Sequence, residues 1–374
     1  MSAPQVLRVL YRGRLDALDT IGGDTIQMIH LARHLRRLGV DVAISTEATP
    51  DLTGFDIVHL FNVTSAVWAR GQLRAAQRRG RRVVISPIYW DEREMMWRVF
   101  TRLLAEGDFV GLMLGVREWM RRRRVESGSA RNPIAPARYA SLQRETLLRC
   151  DRILPNSRIE CWLIQNRFGI DPRKTRVVYN GVEHTYLEGT QSPLRTIPPN
   201  AVLMVARFDQ RKNQLGLIRA LRGTGLRPVF VGGPVMHSRL SEHYYQRCRR
   251  EGGREAIFLG WVKHEALGYL YQNCWVHTLP SAYETPGLSS LEAAMWGANI
   301  VSTNRGSAVE YFGDQAWYCD PFDVSSIRAA VTEAYRAPRS AVLAERIRTQ
   351  FSWASAARTT LEVYRDLLDD QTVD

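Results

Sequence analysis

Three things are scarce in this chain of 374 residues. Lysine is the first: only Lys174, Lys212 and Lys263 stand among the 51 basic residues, so arginine is the default cation. Cysteine is the second. Cys150, Cys161, Cys248, Cys274 and Cys319 are odd in number, widely spaced and without a Cys-x-x-Cys pair, which excludes a disulfide scaffold and a zinc ribbon. Long apolar runs are the third. The longest, Val83 to Trp90 and Gly111 to Val116, fall far short of the roughly 20 residues needed to cross a bilayer. The opening MSAPQVLRVLYRG has no signal-peptide pattern, and the expectation is a cytoplasmic protein. Short-period repeats, low-complexity segments and a Gly-x-Gly-x-x-Gly run are also missing.

What is present is ordinary globular composition, 45% hydrophobic and 24% charged, with a net charge of +13. The charge is uneven. Residues 1–190 hold 30 basic and 20 acidic side chains, a balance of +10, leaving 21 and 18, or +3, for the rest. A basic first half suits a polyanionic or membrane-surface partner, or else a solvated face in an arginine-rich composition.

Short β-branched runs alternate with helical patterns, as in a parallel α/β sheet. The first series of strands is Val6–Tyr11, Val40–Ser45, Asp56–Phe61, Arg82–Ile88, Arg152–Pro155 and Arg176–Tyr179. Between its first two members a helix over Asp24–Leu38 puts Met28, Leu31, Ala32, Leu35 and Leu38 on one face. His59, inside an apolar strand, reads as a core residue. A loop rich in Thr, Pro and Ser over Glu188–Asn200 marks a domain boundary. A second series follows: Val202–Val205, Pro228–Gly232, Ile257–Gly260, Trp275–Leu279, Asn299–Thr303 and Trp317–Cys319. Two helices, Ala341–Gln350 and Ser355–Leu368, close the chain.

Three clusters at strand-to-helix turns carry chemistry. Gly22-Gly23-Asp24-Thr25 opens the first helix, where exposed amides and the helix dipole favour an anion. Arg207 and Lys212, five residues apart after the first strand of the second series, can clamp a diphosphate, one as a fork and one as a point charge. Glu284-Thr285-Pro286-Gly287-Leu288, running into a helix that holds Glu292, leaves the Gly287 and Leu288 amides for phosphate or sugar oxygens. Glu284 is placed to accept from sugar hydroxyls and Glu292 from a ribose diol. The plain alternatives are a strand-to-helix turn, a basic loop and a solvated helix carboxylate.

In order and spacing these residues resemble retaining nucleotide-sugar glycosyltransferases of the GT-B fold, family 4. The resemblance also takes in Asp56-Ile57-Val58-His59, Ile153-Leu154-Pro155-Asn156-Ser157, Asn180-Gly181-Val182-Glu183, Gly232-Gly233-Pro234 and Phe258-Leu259-Gly260-Trp261-Val262. It implies two Rossmann-like parallel-sheet domains facing a central cleft: 1–190 for the acceptor, 195–352 for the nucleotide sugar, and a helix at 353–374 crossing back to the first. It further implies Arg207 and Lys212 as the diphosphate clamp, Glu284 as the donor-sugar contact, Glu292 as the ribose ligand and Val262 as the region meeting the base. Pro286, Gly287 and Leu288 border the donor, and Gly22 and Gly23 form a lip facing its phosphates.

This chain departs from the family in two places. Where a histidine is common after the fourth strand, it reads Ser86-Pro87-Ile88-Tyr89-Trp90-Asp91, making Tyr89, Trp90 and Asp91 the acceptor-side candidates, and Pro286 stands where phenylalanine is usual. The stretch Glu92–Arg131 combines Met95, Trp97, Phe100, Phe109 and Trp119 with Arg121-Arg122-Arg123-Arg124, which suits an anionic membrane surface, a lipid-linked acceptor, or a buried helical pair with a basic end. The expectation is transfer of a hexose from a UDP- or GDP-sugar to a cell-surface glycan or lipid-linked acceptor, with retention and with no further cofactor, since no Asp-x-Asp metal motif is present. The enzyme would then be cytoplasmic and peripheral to the membrane. The alternatives are transfer to DNA or another polyanion, and a nucleic-acid-binding relative without catalysis.

Overall fold

A computed structural model describes residues 6–19, 21–127, 136–183 and 197–369, the side chains of 122–127 and 136 excepted. The first series of elements is β1 (Arg8–Arg12), α1 (Gly23–Arg37), β2 (Asp41–Ser45), β3 (Ile57–Phe61), α2 (Ala66–Gln77), β4 (Arg82–Ser86), α3 (Arg93–Ala105), α4 (Phe109–Ser127), α5 (Pro136–Arg149), β5 (Arg152–Ile153) and α6 (Arg158–Phe168). The second is β6 (Ala201–Val205), α7 (Gln214–Leu221), β7 (Arg227–Val231), α8 (Arg239–Gly252), β8 (Ile257–Gly260), α9 (His264–Asn273), β9 (Val276–Leu279), α10 (Leu288–Met295), β10 (Asn299–Thr303), α11 (Ala308–Phe312), β11 (Trp317–Cys319), α12 (Val324–Arg336), α13 (Ala341–Gln350) and α14 (Trp353–Asp369).

These elements form two compact units. The first holds residues 1–90, 119–181 and 353–374 and a parallel sheet in the order β2-β1-β3-β4-β5. Its strands are apolar on both faces because helices cover both, as in other parallel sheets. On α1 the expected stripe of Met28, Leu31, Ala32 and Leu35 is buried, while Leu38, past the helix end, is exposed. Trp353, Ala357, Leu361, Tyr364 and Leu367 of α14 are buried at helical spacing, and α14 packs on α1 with Trp353 stacked on His30 at 5.3 Å between ring centroids.

Tyr364 also explains His59. The His59 ring is fully buried between the Tyr364 hydroxyl, 2.5 Å from Nδ1, and Ser86 Oγ, 3.0 Å from Nε2. Burial pushes its pKa down to about 3, so it is a neutral core histidine. One expected strand is absent: β5 stops at Ile153, to which Thr175 makes a single bridge, and the stretch Arg176–Tyr179 runs alongside through backbone hydrogen bonds to Ile153 and Pro155.

The second unit holds residues 91–118 and 182–352 and a six-stranded parallel sheet, β11-β10-β9-β6-β7-β8. Phe208, Phe230, Tyr245 and Phe258 make an aromatic cluster at one side of its core. Of the boundary loop expected over Glu188–Asn200, residues 188–196 lie outside the described residues. The expectation that residues 1–190 form one domain needs correcting for residues 91–118, which pack in the second unit. Charged contacts hold them there. Glu106 and Asp108, at the turn between α3 and α4, meet Arg219 of α7 and Arg247 and His243 of α8. Among the large apolar residues of this stretch Leu103 is buried, whereas Trp97 at 70% exposure and Phe109 at 68% face solvent together with Leu104, Val110 and Met113. Among the described residues no helix is long and apolar enough to cross a membrane.

Candidate functional site

The chemically active side chains of the second unit sit at the carboxyl ends of β6 and β9, where loops lead into α7 and α10. Open parallel sheets bind ligands at that edge. Phe208 anchors the β6–α7 loop: its side chain is buried in the aromatic cluster and its amide donates to the Gly233 carbonyl at 2.9 Å. Beyond it the chain turns on Asp209, which accepts from the Arg211 amide through Oδ1 and from the Lys212 amide through its carbonyl. The turn carries Lys212 inward, and its Nζ donates to Glu284 Oε1 at 2.6 Å.

Glu284 is buried, at 5% exposure, and Lys212 is half-buried, with 18% of its side chain exposed. Burial lowers the Lys212 ammonium below its ordinary pKa; Glu284 opposes that shift, while Arg211 and Arg207 reinforce it. Lys212, Arg211 and Arg207 are therefore close enough to repel one another, and an anion brought to this edge relieves the repulsion. Arg207 is partly exposed, with Asp209 at 4.0 Å.

Backbone pairing holds the Glu284 loop. Its amide donates to the Arg305 carbonyl at 3.1 Å and its carbonyl accepts from the Ser307 amide at 2.9 Å. Gly306, at φ +107°, makes that approach possible, because a Cβ there would lie 2.0 Å from the Glu284 carbonyl oxygen. Pro286 is buried in the turn. Gly287 then caps α10 at φ +79°, and a Cβ on it would stand 3.6 Å from Glu284 Oε2. The second carboxylate oxygen thus faces the open amides of the helix start, beside Leu288. Ser289 Oγ ties the same helix start to the Val205 carbonyl at the end of β6, at 2.9 Å.

Glu292 lies further along α10, at 9% exposure. Tyr271 donates its hydroxyl to Oε2 at 2.8 Å, and His264 Nε2 is 3.2 Å from Oε1. A carboxylate has about four lone-pair sites, so these two contacts orient it and leave capacity for a diol. Val262 is half-buried between β8 and α9, next to the exposed Trp261.

The remaining candidates fall elsewhere. Gly22 and Gly23 open α1 in the first unit, Gly23 exposed, followed by Asp24, which holds Arg14 at 3.0 Å and Asn62 at 3.1 Å. Trp90 is half-buried in the same unit. Tyr89 as an acceptor-side group is corrected: its ring is in the core, edge-on to Phe168 at 5.1 Å, and its amide donates to Glu160 at 2.6 Å. Asp91 belongs to the second unit and is held by Arg93 at 2.8 Å. Arg121 is exposed on α4, and the side chains of Arg122, Arg123 and Arg124 lie outside the described residues. Among the described residues no group of three or more His, Cys, Asp or Glu side chains is placed to hold a metal ion.

Sequence reasoning missed the groups that hold the named residues: Tyr271 and His264 on Glu292, Asn213 and Arg211 beside Lys212, and Tyr283 beside Glu284. Tyr283 and Arg211 are immediate neighbours of chosen residues, so adjacency was the available signal. Nothing in the spacing of Tyr271, 21 residues before Glu292, pointed to their contact.

Known proteins bear the same features. Residues 50–186 match the model described as Glycosyltransferase Family 4, and residues 191–350 match Glycosyl transferases group 1. The O-antigen chain mannosyltransferase B of Escherichia coli is 31% identical over 44% of this chain and 45% of its own length, so the chain spans less than half of that curated relative. Sucrose-phosphate synthase from Thermosynechococcus elongatus superposes with a TM-score of 0.75 at 16% identity, over 97% of this chain and 100% of that one. Anabaena HepE in complex with UDP-glucose superposes with a TM-score of 0.64 at 14% identity, over 96% and 100%. At these identities the superpositions speak for the fold. Two parallel-sheet units, paired family models that reach into both sheets, and these relatives assign the chain to the family 4 glycosyltransferases of the GT-B fold.

Proposed function

We propose that the protein transfers a hexose from a nucleoside-diphosphate sugar to a growing glycan or lipid-linked glycan, with retention at the anomeric carbon. The carrying observation is the pairing of the buried Glu284 with the half-buried Lys212, with Arg207 near it and the Gly287 helix start beside the free side of the carboxylate. This set offers positive charge to a diphosphate and a carboxylate to sugar hydroxyls. Support for the donor class comes from the neighbour bound to UDP-glucose, and support for the acceptor class from the O-antigen mannosyltransferase.

In this reading the acceptor hydroxyl oxygen bonds to the anomeric carbon as the bond from that carbon to the diphosphate oxygen breaks on the same face. The departing oxygen takes the acceptor's proton. Arg207, Lys212 and the Gly287 and Leu288 amides stabilise the charge that grows on it. Glu284 orients the sugar and Glu292 the ribose. This route asks for no separate base, which agrees with Asp91 being engaged by Arg93. The exposed Trp97 of α3 and Phe109 of α4, together with the arginine run that begins at the exposed Arg121, support contact with an anionic membrane or a lipid-linked acceptor, and co-sedimentation with anionic vesicles tests it.

A thermal-shift screen of UDP-, GDP- and dTDP-hexoses tests the donor class, since a ligand at 100 times its Kd adds about 2.7 kcal/mol of stability. The matching sugar is expected to raise Tm clearly above the others, and no shift with any of them overturns the reading. The anomeric coupling of the product by NMR tests retention: an α-linked product from an α-linked donor is expected, and a β-linked product refutes it.

A further inference from the structure

The proposed function uses residues of the second unit that come late in the chain. Helix α3 comes early, yet it packs in the same unit and makes three contacts that fall on the segments around Lys212 and Glu284. At its start, Glu92 Oε1 accepts from the Tyr283 hydroxyl at 2.6 Å, and Tyr283 in turn accepts from Arg211 Nη1 at 2.9 Å. Tyr283 precedes Glu284 and Arg211 precedes Lys212, so this chain bridges the backbone neighbours of both members of the pair. Two residues on, Glu94 Oε1 meets Arg305 Nη1 at 3.0 Å, and Arg305 supplies the carbonyl that receives the Glu284 amide. Two turns further, Arg102 Nη1 donates to Asn213 Oδ1 at 2.9 Å. Asn213 follows Lys212, sits at φ +62° and donates to the carbonyls of Pro280 and Pro321.

These contacts differ in weight. Tyr283 is buried with its arginine over the ring at 5.2 Å, and burial raises its phenol so that it stays protonated and donates to Glu92. Glu94–Arg305 is more exposed and weak by itself, although Arg98 and Arg305 both lie over the Phe322 ring, at 4.9 and 5.3 Å. Behind them, the Glu106–Asp108–Glu251 cluster with Arg102, Arg219 and Arg247 keeps the end of α3 against α7 and α8.

We propose that α3 is a positioning element of the donor site, in which Glu92, Glu94 and Arg102 set the geometry of the Lys212–Glu284 pair through Tyr283, Arg305 and Asn213. The inference rests on the donor-site reading above. It assigns a catalytic consequence to residues 92–102, which touch neither sugar nor diphosphate in that reading.

The test uses the full chain and a double-mutant cycle. The readout is release of nucleoside diphosphate from whichever of UDP-glucose, GDP-mannose or dTDP-glucose stabilises the wild type most, with kcat and KM measured separately. Glu92→Gln and Tyr283→Phe are each expected to lower kcat by about fivefold to tenfold with KM within about twofold, the pattern of lost transition-state positioning. In a Glu284→Gln background the same changes are expected to cost less than about twofold, and Glu92→Asp to recover part of the rate. Effects that multiply undiminished in that background, or wild-type kcat in both single variants, overturn the proposal. Tyr283→Phe removes one oxygen only, so it keeps the test open if Glu92→Gln folds poorly. A wild type that neither binds nor cleaves any of the three sugars instead refutes the donor reading, and this proposal with it.

Discussion

Each unit buries a histidine in the third strand of its sheet order, His59 in β3 and His277 in β9, and both are pushed down to about 3 by burial. They do different work. His59 has both ring nitrogens engaged, by Ser86 and by Tyr364, whose hydroxyl also reaches Tyr11 at 3.3 Å. That ladder is neutral, and it joins three strands to α14. His277 bonds Ser290 Oγ of α10 at 3.2 Å, and the charge of Lys212 adds to its shift. The first unit therefore uses a neutral buried ladder to attach the last helix, while the second holds positive charge at the edge of its sheet, where the proposed reading puts the diphosphate. A buried charged pair is costly to keep and costlier to break, which is a reason to read the second arrangement as functional.

The largest expected effect separates charge from scaffold. Lys212→Ala is expected to slow transfer by more than about tenfold and to destabilise the protein by about 3–5 kcal/mol, because it strands Glu284 in a buried position. Arg207→Ala, at a partly exposed residue, is expected to slow transfer similarly with little change in Tm. Equal stability losses in the two variants would show that the pair is not the buried charge described here.

The next effect divides the two carboxylates. Glu284→Gln is expected to lower turnover more than nucleotide affinity, and Glu292→Gln, whose partners Tyr271 and His264 sit beside it, to do the reverse. Turnover together with calorimetric binding of the nucleotide checks this. Matching profiles would merge the two roles.

In the first unit, Tyr364→Phe leaves His59 Nδ1 buried without its partner and is expected to cost about 1–3 kcal/mol, read by urea denaturation. Donor affinity is expected to stay the same. A large fall in affinity would dissolve the contrast between the two histidines.

The smallest effect is electrostatic and depends on pH. Burial works to raise Glu106, Asp108 and Glu251, but their hydrogen-bonded and charged partners outweigh it and hold all three below the ordinary carboxylate range. Their stabilisation is thus full above the unfolded-chain values of about 4 and is lost as pH falls through the lower folded values. The Tm gap between the wild type and a Glu106→Gln/Asp108→Asn variant is expected to be widest near neutrality and to close below about pH 4. A gap that persists unchanged at low pH would point to packing in place of charge.

Much of both sheets was legible in the sequence because β-branched runs between glycine-rich turns report a local preference. The strands Ile257–Gly260, Asn299–Thr303 and Trp317–Cys319 and the helix Ala341–Gln350 lie where the pattern puts them. So do the turns carrying Arg207, Lys212, Glu284 and Gly287, whose residue types report their own chemistry. Local pattern misled at Arg176–Tyr179, where a two-residue β5 offers too short a partner, and at Tyr89, whose ring found Phe168 in the core.

The sequence by itself determined the alternation of strands and helices, the stripe on α1 and the identity of the charged residues at the strand ends, all of which depend on neighbours within a few positions. Only the tertiary structure decided that α3 packs with the later half of the chain, that Tyr271 holds Glu292, and that Tyr364 closes on His59 across 305 residues. The reason is physical: these are contacts between polar groups far apart in the chain, where each side chain has many acceptable partners, and the packing of the sheets selects among them.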